Sequence, residues 1–321
     1  MKYKHKILVT GGYGFIGGNF IRYLRSIFHQ DVYIVNIDKN GYASNEEYAR
    51  SYCDETHHID ITDRLALESV LNEAVPYDYI FHFAAESHVD NSISGPTVFV
   101  ESNVLGTQNL LECFRNQNKG HGKFIHISTD EVYGHLGLTD PAFTEETPLS
   151  PRSPYAASKA ASDLMCISYM QTYGLDISIT RCCNNFGPNQ YQEKFIPTII
   201  DSLKNNKKIP VYGKGDNIRE WIHVEEHNKA VWNVAINGST GVYNIGSGVE
   251  LSNIELVKLI CKIMGKDADE SIEFVADRLG HDFRYAIDCS KAKKIGMPGC
   301  NYSDFVVELE SYIGYYISNG R

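Results

Sequence analysis

The sequence predicts an α/β protein: a doubly wound parallel sheet joined to a smaller, mixed α/β part that holds substrate. Three observations carry the prediction. Short apolar runs alternate with helical patterns through residue 181, as in a parallel sheet covered by helices on both faces. The first run ends in a glycine turn that opens a helix, and the second ends in an acid.

Taken in order, Lys6-Ile7-Leu8-Val9-Thr10 is the first strand. Gly11-Gly12-Tyr13-Gly14-Phe15-Ile16-Gly17 follows, then a helix with Phe20, Ile21, Leu24 and Ile27 on one face. The order strand, glycine turn, helix makes a dinucleotide site. Gly11 and Gly14 permit a tight turn and close approach to a pyrophosphate, Gly17 lets the helix pack on the strand, and the helix N-terminus at Phe15 and Ile16 supplies N–H groups. This is a Rossmann-type arrangement, although the spacing is Gly-x-x-Gly-x-x-Gly. The second strand, Val32 to Ile37, ends at Asp38. A carboxylate there accepts from a ribose diol and repels a 2′-phosphate, so NAD is expected rather than NADP.

Residues 41–52 are polar and tyrosine-rich and read as a loop. Asp60-Ile61-Thr62-Asp63 ends the third strand; Thr62 or Asp63 caps a helix over 64–74, and Asp60 and Ile61 border the adenine. Tyr79 to Phe83 is a further strand, opening into Ala84 and Ala85, small enough for backbone to lie against a cofactor. A helical pattern spans 97–116. The strand Lys123 to Ile127 runs into Ser128-Thr129-Asp130-Glu131-Val132-Tyr133-Gly134, and a helix over 155–173 precedes a sixth strand at 176–181. Beyond Cys183 prolines and glycines interrupt the pattern. Residues 1–183, with 222–245 returning, are therefore expected to form the NAD domain, and 184–221 with 246–321 mainly the substrate domain.

Composition narrows the partners. The 321 residues carry a net charge of −10 with a pI of about 5.6, which disfavours nucleic acid and anionic membrane. No apolar run reaches the ~18 residues of a membrane span, and the start lacks a secretory pattern. The eight cysteines include no Cys-x-x-Cys pair. Free thiols, a cytoplasmic location and no metal are expected.

Two stretches carry the chemistry. Asp130 and Glu131 are adjacent acids at a strand end, where burial and mutual repulsion make them costly unless they have work to do. Tyr155 and Lys159 stand one helical turn apart. An ammonium beside a phenol is expected to lower its pKa, and a tyrosine base beside NAD couples proton removal from a hydroxyl to hydride transfer. Ser128 or Thr129 donates to the oxygen whose charge changes.

The glycine turn, Ser128-Thr129 and Tyr155-x-x-x-Lys159 resemble the extended short-chain dehydrogenase/reductases. With His82 to Asp90, Thr129-Asp130-Glu131, Ser153 to Ala160, Arg181 to Pro188, Glu193 to Pro197 and Asp277 to Asp288, the chain resembles the nucleoside-diphosphate-glucose 4,6-dehydratases over nearly its whole length. GDP-mannose dehydratases have Thr-Ser-Glu at the acid pair, and epimerases of the superfamily lack it. The resemblance implies that Tyr155 takes the C4 hydroxyl proton while NAD takes the hydride, that Glu131 removes the C5 proton, and that Asp130 protonates the C6 hydroxyl as it leaves. It also implies substrate contacts at Ser87, Asn184, Lys194, Pro210, Tyr212, Arg219, Asn244, Arg278 and His281, with both arginines on the diphosphate. Ser102 and Asn185 are implied cofactor contacts. A homodimer, acting on dTDP-glucose or UDP-glucose, is implied as well. Leu279 replaces a common Pro and His223 a common Tyr. Asn189-Gln190 is closer to the UDP-glucose branch and Arg219-Glu220-Trp221 to the dTDP branch, so the base stays open.

Overall fold

The computed structural model describes residues 3–72, 75–116, 118, 120–277 and 281–320. Its strands are β1 His5–Thr10, β2 Val32–Asp38, β3 Glu55–His58, β4 Tyr79–His82, β5 Lys123–Thr129, β6 Ile177–Cys182, β7 Asn184–Phe186, β8 Ile209–Tyr212, β9 Ile218–His223, β10 Gly241–Ile245, β11 Glu250–Ser252 and β12 Ile272–Val275. Seven form one sheet in the order β10-β6-β5-β4-β1-β2-β3, and every pairing in it is parallel. This is the doubly wound sheet the alternation predicted. Its order reverses between β1 and β4, where ligands bind such sheets, beyond the strands' C-terminal ends. The register pairs Thr10 with His82, which sets the glycine turn beside Ala84.

Both faces of this sheet are apolar. Ile7, Val9, Phe20, Ile21, Phe81 and Trp232 belong to one core, and Leu8, Val35, Leu110, Phe114, Phe124 and Ile177 to the other. A third core, from Phe186 to Tyr316, joins the small β11-β9-β7 sheet to the helices Phe195–Lys204, Asn253–Ile263 and Tyr302–Asn319. Residues 286–297 depart from the expected division. Ala286, Ile287, Cys289, Ala292 and Met297 pack into the first core, and Lys291 Nζ donates to Val242 O on β10 at 2.6 Å.

Four local expectations need correction. Ile27 is 41% exposed; Phe28 packs instead, edge-on to Trp232 at 5.2 Å. Residues 41–52 contain a short helix, Glu46–Ala49, and a single turn, Arg50–Tyr52. Arg22 packs against this segment, its guanidinium 4.4 and 4.6 Å from the Tyr48 and Tyr52 rings. The third strand ends at His58, before Asp60; Asp63 then caps the helix Arg64–Leu71, accepting from Ala66 N. The 97–116 pattern is interrupted by a π-helical turn at Val100–Leu105, a feature frequent at functional sites.

A buried ion pair braces the sheet near the acids. Arg181 Nε donates to Asp163 Oδ2 at 2.9 Å, with both side chains at most 3% exposed. Arg181 also stacks over the Tyr133 ring at 4.7 Å. Asp163→Ala leaves a buried guanidinium without its carboxylate. A loss of about 3–5 kcal/mol is expected, read as a lower midpoint in urea unfolding.

Candidate active site

A cleft of about 350 Å³ opens at the reversal point, lined on one side by the glycine turn and on the other by the ends of β5 and β6. That volume lies within the range of small-molecule sites. The turn is shaped by close contacts. Gly11 has φ +73°, and a Cβ on it would stand 2.6 Å from Ala84 N. A Cβ on Gly17 would stand 2.3 Å from Gly11 O, so Gly17 serves the turn itself rather than helix packing on the strand. At Gly14 a Cβ would meet only Gly11 O, at 3.2 Å, leaving open space above the start of the helix Phe15–Phe28. Gly11, Gly14, Phe15, Ile16 and Gly17 all line the cleft.

Asp38 is buried at the cleft wall. Its carboxylate accepts from Tyr13 N at 2.9 Å, Asn40 N at 2.7 Å and Ser44 Oγ at 3.1 Å. These donors fix its plane and leave roughly one of its ~four lone-pair positions for a ligand. Ile61, Ala84, Ala85 and Ser102 also line the cleft, Ser102 from the π-helical turn. Asn185 lines it with Oδ1 buried and unpartnered. Asp60 is not in the lining: it accepts from Thr62 N and lies 4.0 Å from Lys39 Nζ. A side-chain-free turn, a helix N-terminus, a fixed carboxylate and an unpartnered amide oxygen together fit a dinucleotide.

The chemical end lies deeper. β5 stops at Thr129, whose Oγ1 accepts from Glu131 N at 3.3 Å, starting a one-turn helix over Asp130–Tyr133. Asp130 is 1% exposed and its Oδ2 has no partner. Burial, then Glu131 and Glu220, hold its carboxyl well above the usual range, so it keeps its proton.

Tyr155 and Lys159 enter the same cleft from the helix Pro154–Tyr173, capped by Ser153. Here the structure corrects an expectation. Tyr155 is raised well above a free phenol, first by burial and then by Glu131; a hydrogen bond from Thr129 is the contact that works the other way. Lys159 stands one turn along the same helix. Its Nζ donates to Ile127 O at 2.7 Å, and burial lowers its own pKa.

Of the implied substrate contacts, Ser87, Asn184 and Lys194 line the cleft, and Lys194 Nζ donates to Ser87 O at 3.2 Å. Arg219 stands outside the lining, its guanidinium 4.4 Å from the Tyr285 ring. It donates to the carbonyls of Ile218, Phe283 and Asp282, which leaves its charge uncompensated by those partners. Pro210 and the exposed Tyr212 lie on β8 in a separate two-stranded sheet, with His281 against Tyr212 and bonded to Asp277 Oδ1 at 2.7 Å. Asn244 is placed elsewhere: it is fully buried, donates to Phe143 O and Asp288 O, and accepts from Tyr133 Oη at 2.7 Å. It bonds the interior, and no part of it lines the cleft. Arg278 and Leu279 lie outside the described residues.

Sequence reading missed Asn103. Its side chain accepts from Glu86 N at 2.8 Å and donates to Glu86 O and Ser158 Oγ, each at 2.9 Å. A single polar residue within a helical pattern carried no signal of that. Trp221 and Glu193, also in the lining, were visible only as members of longer motifs.

A glycine turn at the reversal point of a parallel sheet, faced by a Tyr/Lys pair, defines a short-chain dehydrogenase/reductase of the extended kind. Comparison narrows this. Residues 8–296 match the family model for GDP-mannose 4,6 dehydratase. The chain is 46% identical to the low-salt glycan biosynthesis protein Agl12 of Haloferax volcanii, covering 98% of this chain and 99% of that one. It is 44% identical to dTDP-glucose 4,6-dehydratase 1 of Escherichia coli, covering 98% and 94%. The structure of DesIV, a dTDP-glucose 4,6-dehydratase from Streptomyces venezuelae with NAD bound, superposes with a TM-score of 0.90 at 42% identity, covering 98% and 97%. The chain belongs to the nucleotide-sugar 4,6-dehydratase family.

Proposed function

We propose that this chain is an NAD-dependent NDP-glucose 4,6-dehydratase, a hydro-lyase that converts dTDP-glucose or UDP-glucose to the NDP-4-keto-6-deoxyglucose. The observation that carries the reading is Asp130: a buried carboxyl kept neutral beside a second acid, in the cleft that also holds Tyr155. Dehydration needs a proton donor and a proton acceptor side by side, and unequal environments for two acids supply both. An epimerase has no use for the pair. A GDP-mannose enzyme is disfavoured by Asp130, where the family's GDP-mannose members have Ser.

NAD bound along Gly11–Gly17 supplies a hydride acceptor that later serves as donor. The chain's own residues do the rest. Tyr155 takes the proton of the C4 hydroxyl through its phenolate, the form that its hydrogen bond with Thr129 and the cationic ring of bound NAD would favour against burial. Glu131 takes the C5 proton, made acidic once C4 is a ketone. Asp130 gives its proton to the C6 hydroxyl, which leaves as water. Arg219, its bonds going to carbonyls, is assigned the diphosphate, and Lys194 contacts the substrate from the cleft wall. The remaining cleft and β8 contacts orient the sugar and base.

The test is an assay with dTDP-glucose, UDP-glucose and GDP-mannose, read by the alkaline absorbance of the 4-keto product. Product from neither glucose nucleotide overturns the reading. The pH dependence has a defined sign. Raising the pH deprotonates Asp130, so kcat falls on the alkaline side. Asp130→Asn, which cannot give up a proton, is expected to lower kcat by about 10²–10⁴ and to lose that alkaline limb.

We also propose a homodimer, supported by exposed apolar side chains on two neighbouring helical stretches: Val98, Val100 and Leu105 on one, Leu164 on the other. Light scattering giving only 36.2 kDa refutes it. The division into an NAD part and a substrate part is proposed with residues 286–297 assigned to the former. A cytoplasmic location accords with eight free cysteines, and the product feeds deoxysugar synthesis, rhamnose being the family's usual destination.

A further inference from the structure

His82 closes β4, and nothing in the proposed chemistry uses it. It is 1% exposed, between two equally buried threonines. Its Nδ1 lies 2.8 Å from Thr10 Oγ1, and its Nε2 lies 2.9 Å from Thr107 Oγ1. Counting donors resolves which nitrogen carries the proton. Thr107 Oγ1 donates to Asn103 O at 2.6 Å. A carbonyl can only accept, so the one hydroxyl proton of Thr107 is committed there. Thr107 must therefore accept from His82, and Nε2 carries the hydrogen. Neutral imidazole has one N–H, so Nδ1 accepts from Thr10 Oγ1. Thr10 in turn accepts from Ala84 N at 3.3 Å.

The bonds form a directed chain as far as the Asn103 backbone carbonyl, and the Asn103 side chain carries the link onward. It begins at Ala84, against Gly11 of the cofactor turn, and passes through Thr10, His82 and Thr107 to Asn103 in the π-helical turn. Asn103 reaches Ser158, which donates to Tyr155 O at 2.7 Å. The two ends are the cofactor turn and the helix that bears Tyr155 and Lys159. Reversing the tautomer would set the Nε2 lone pair against a hydroxyl whose proton is already spent. Protonating the ring would place a buried cation near His126, with ring centroids 5.3 Å apart, and near Lys159; burial opposes it further.

We propose that His82, neutral and protonated on Nε2, is a positioning residue for the reaction: it sets the direction of a hydrogen-bond chain that holds the catalytic helix in register with the cofactor turn. The kinetic part of this rests on the dehydratase reading; the tautomer does not.

The experiment has two arms. Nitrogen-15 NMR of histidine-labelled holoprotein is expected to show His82 neutral, with Nε2 bearing the hydrogen and Nδ1 accepting, from about pH 5 to 8. An Nδ1–H tautomer or an imidazolium overturns the proposal. In the second arm, His82→Phe keeps a ring and removes both links. It is expected to retain NAD and to leave KM for the sugar nucleotide unchanged, with kcat lowered about 10- to 100-fold by misplacement. His82→Gln, whose amide can donate towards Thr107, should recover part of that loss. A folded His82→Phe with the parent kcat overturns the positioning role. If His82→Phe does not fold, the Gln variant and the spectrum of the unsubstituted protein decide. Lack of activity in the unsubstituted protein would instead sink the dehydratase reading and leave the tautomer result standing.

Discussion

Glu131→Gln is expected to stop dehydration while leaving the first oxidation intact. The substitution keeps size and hydrogen-bonding capacity and removes the base, so product formation should fall by about 10²–10⁴. NAD should stay bound, because Glu131 lies at the end of β5, across the cleft from the glycine turn. Mixed with sugar nucleotide, the variant should build up the absorbance of reduced nicotinamide without the alkaline absorbance of the 4-keto-6-deoxy product. The loss of Glu131 also removes a neighbouring negative charge that raises Asp130, so the Asp130 carboxyl should titrate at lower pH in the variant. Full dehydration by Glu131→Gln would show that another group takes the C5 proton.

Tyr155→Phe should fail one step earlier. Without the phenol oxygen no group is placed to take the C4 hydroxyl proton, and a fall of similar size, about 10²–10⁴, is expected. Here no reduced nicotinamide should accumulate on mixing. The two variants therefore separate by a spectrum rather than by rate alone. Tyr155 is raised well above a free phenol by burial and by Glu131, which makes its proton transfer depend on the Thr129 contact. Thr129→Val should consequently weaken oxidation as well, and Tyr155→Phe should make that second substitution nearly silent, since both act on the same oxygen. Rapid appearance of reduced nicotinamide in Tyr155→Phe would move the base elsewhere.

Features written in a few consecutive residues were legible. Gly11 to Gly17 had to be a turn into a helix, because positive φ at Gly11 and the 2.6 Å approach to Ala84 N exclude side chains. Asp38 was legible as the last residue of a strand, and Tyr155 with Lys159 as one helix face. Asn244 was misplaced because a polar residue in an apolar strand looks the same whether it faces ligand or bonds Tyr133, Phe143 and Asp288 inside. The segment around Glu46–Ala49 packs against Arg22, more than twenty residues away, through two tyrosine rings, a contact that no local pattern shows.

By itself the sequence determined the parallel sheet, the dinucleotide turn and the inventory of reactive groups, since alternation, turn geometry and helical spacing are local properties of the chain. The tertiary structure decided how deeply the ionisable groups are buried and which distant charges reach them. Asp130 is held towards its neutral form by burial first, then by its sequence neighbour Glu131, and then by Glu220 on β9 in a different sheet. Lys159 is held by one N–H on Ile127 O of β5, where burial lowers its own pKa. Electrostatic energy depends on distance through space and on exclusion of water, and neither is written in the order of residues.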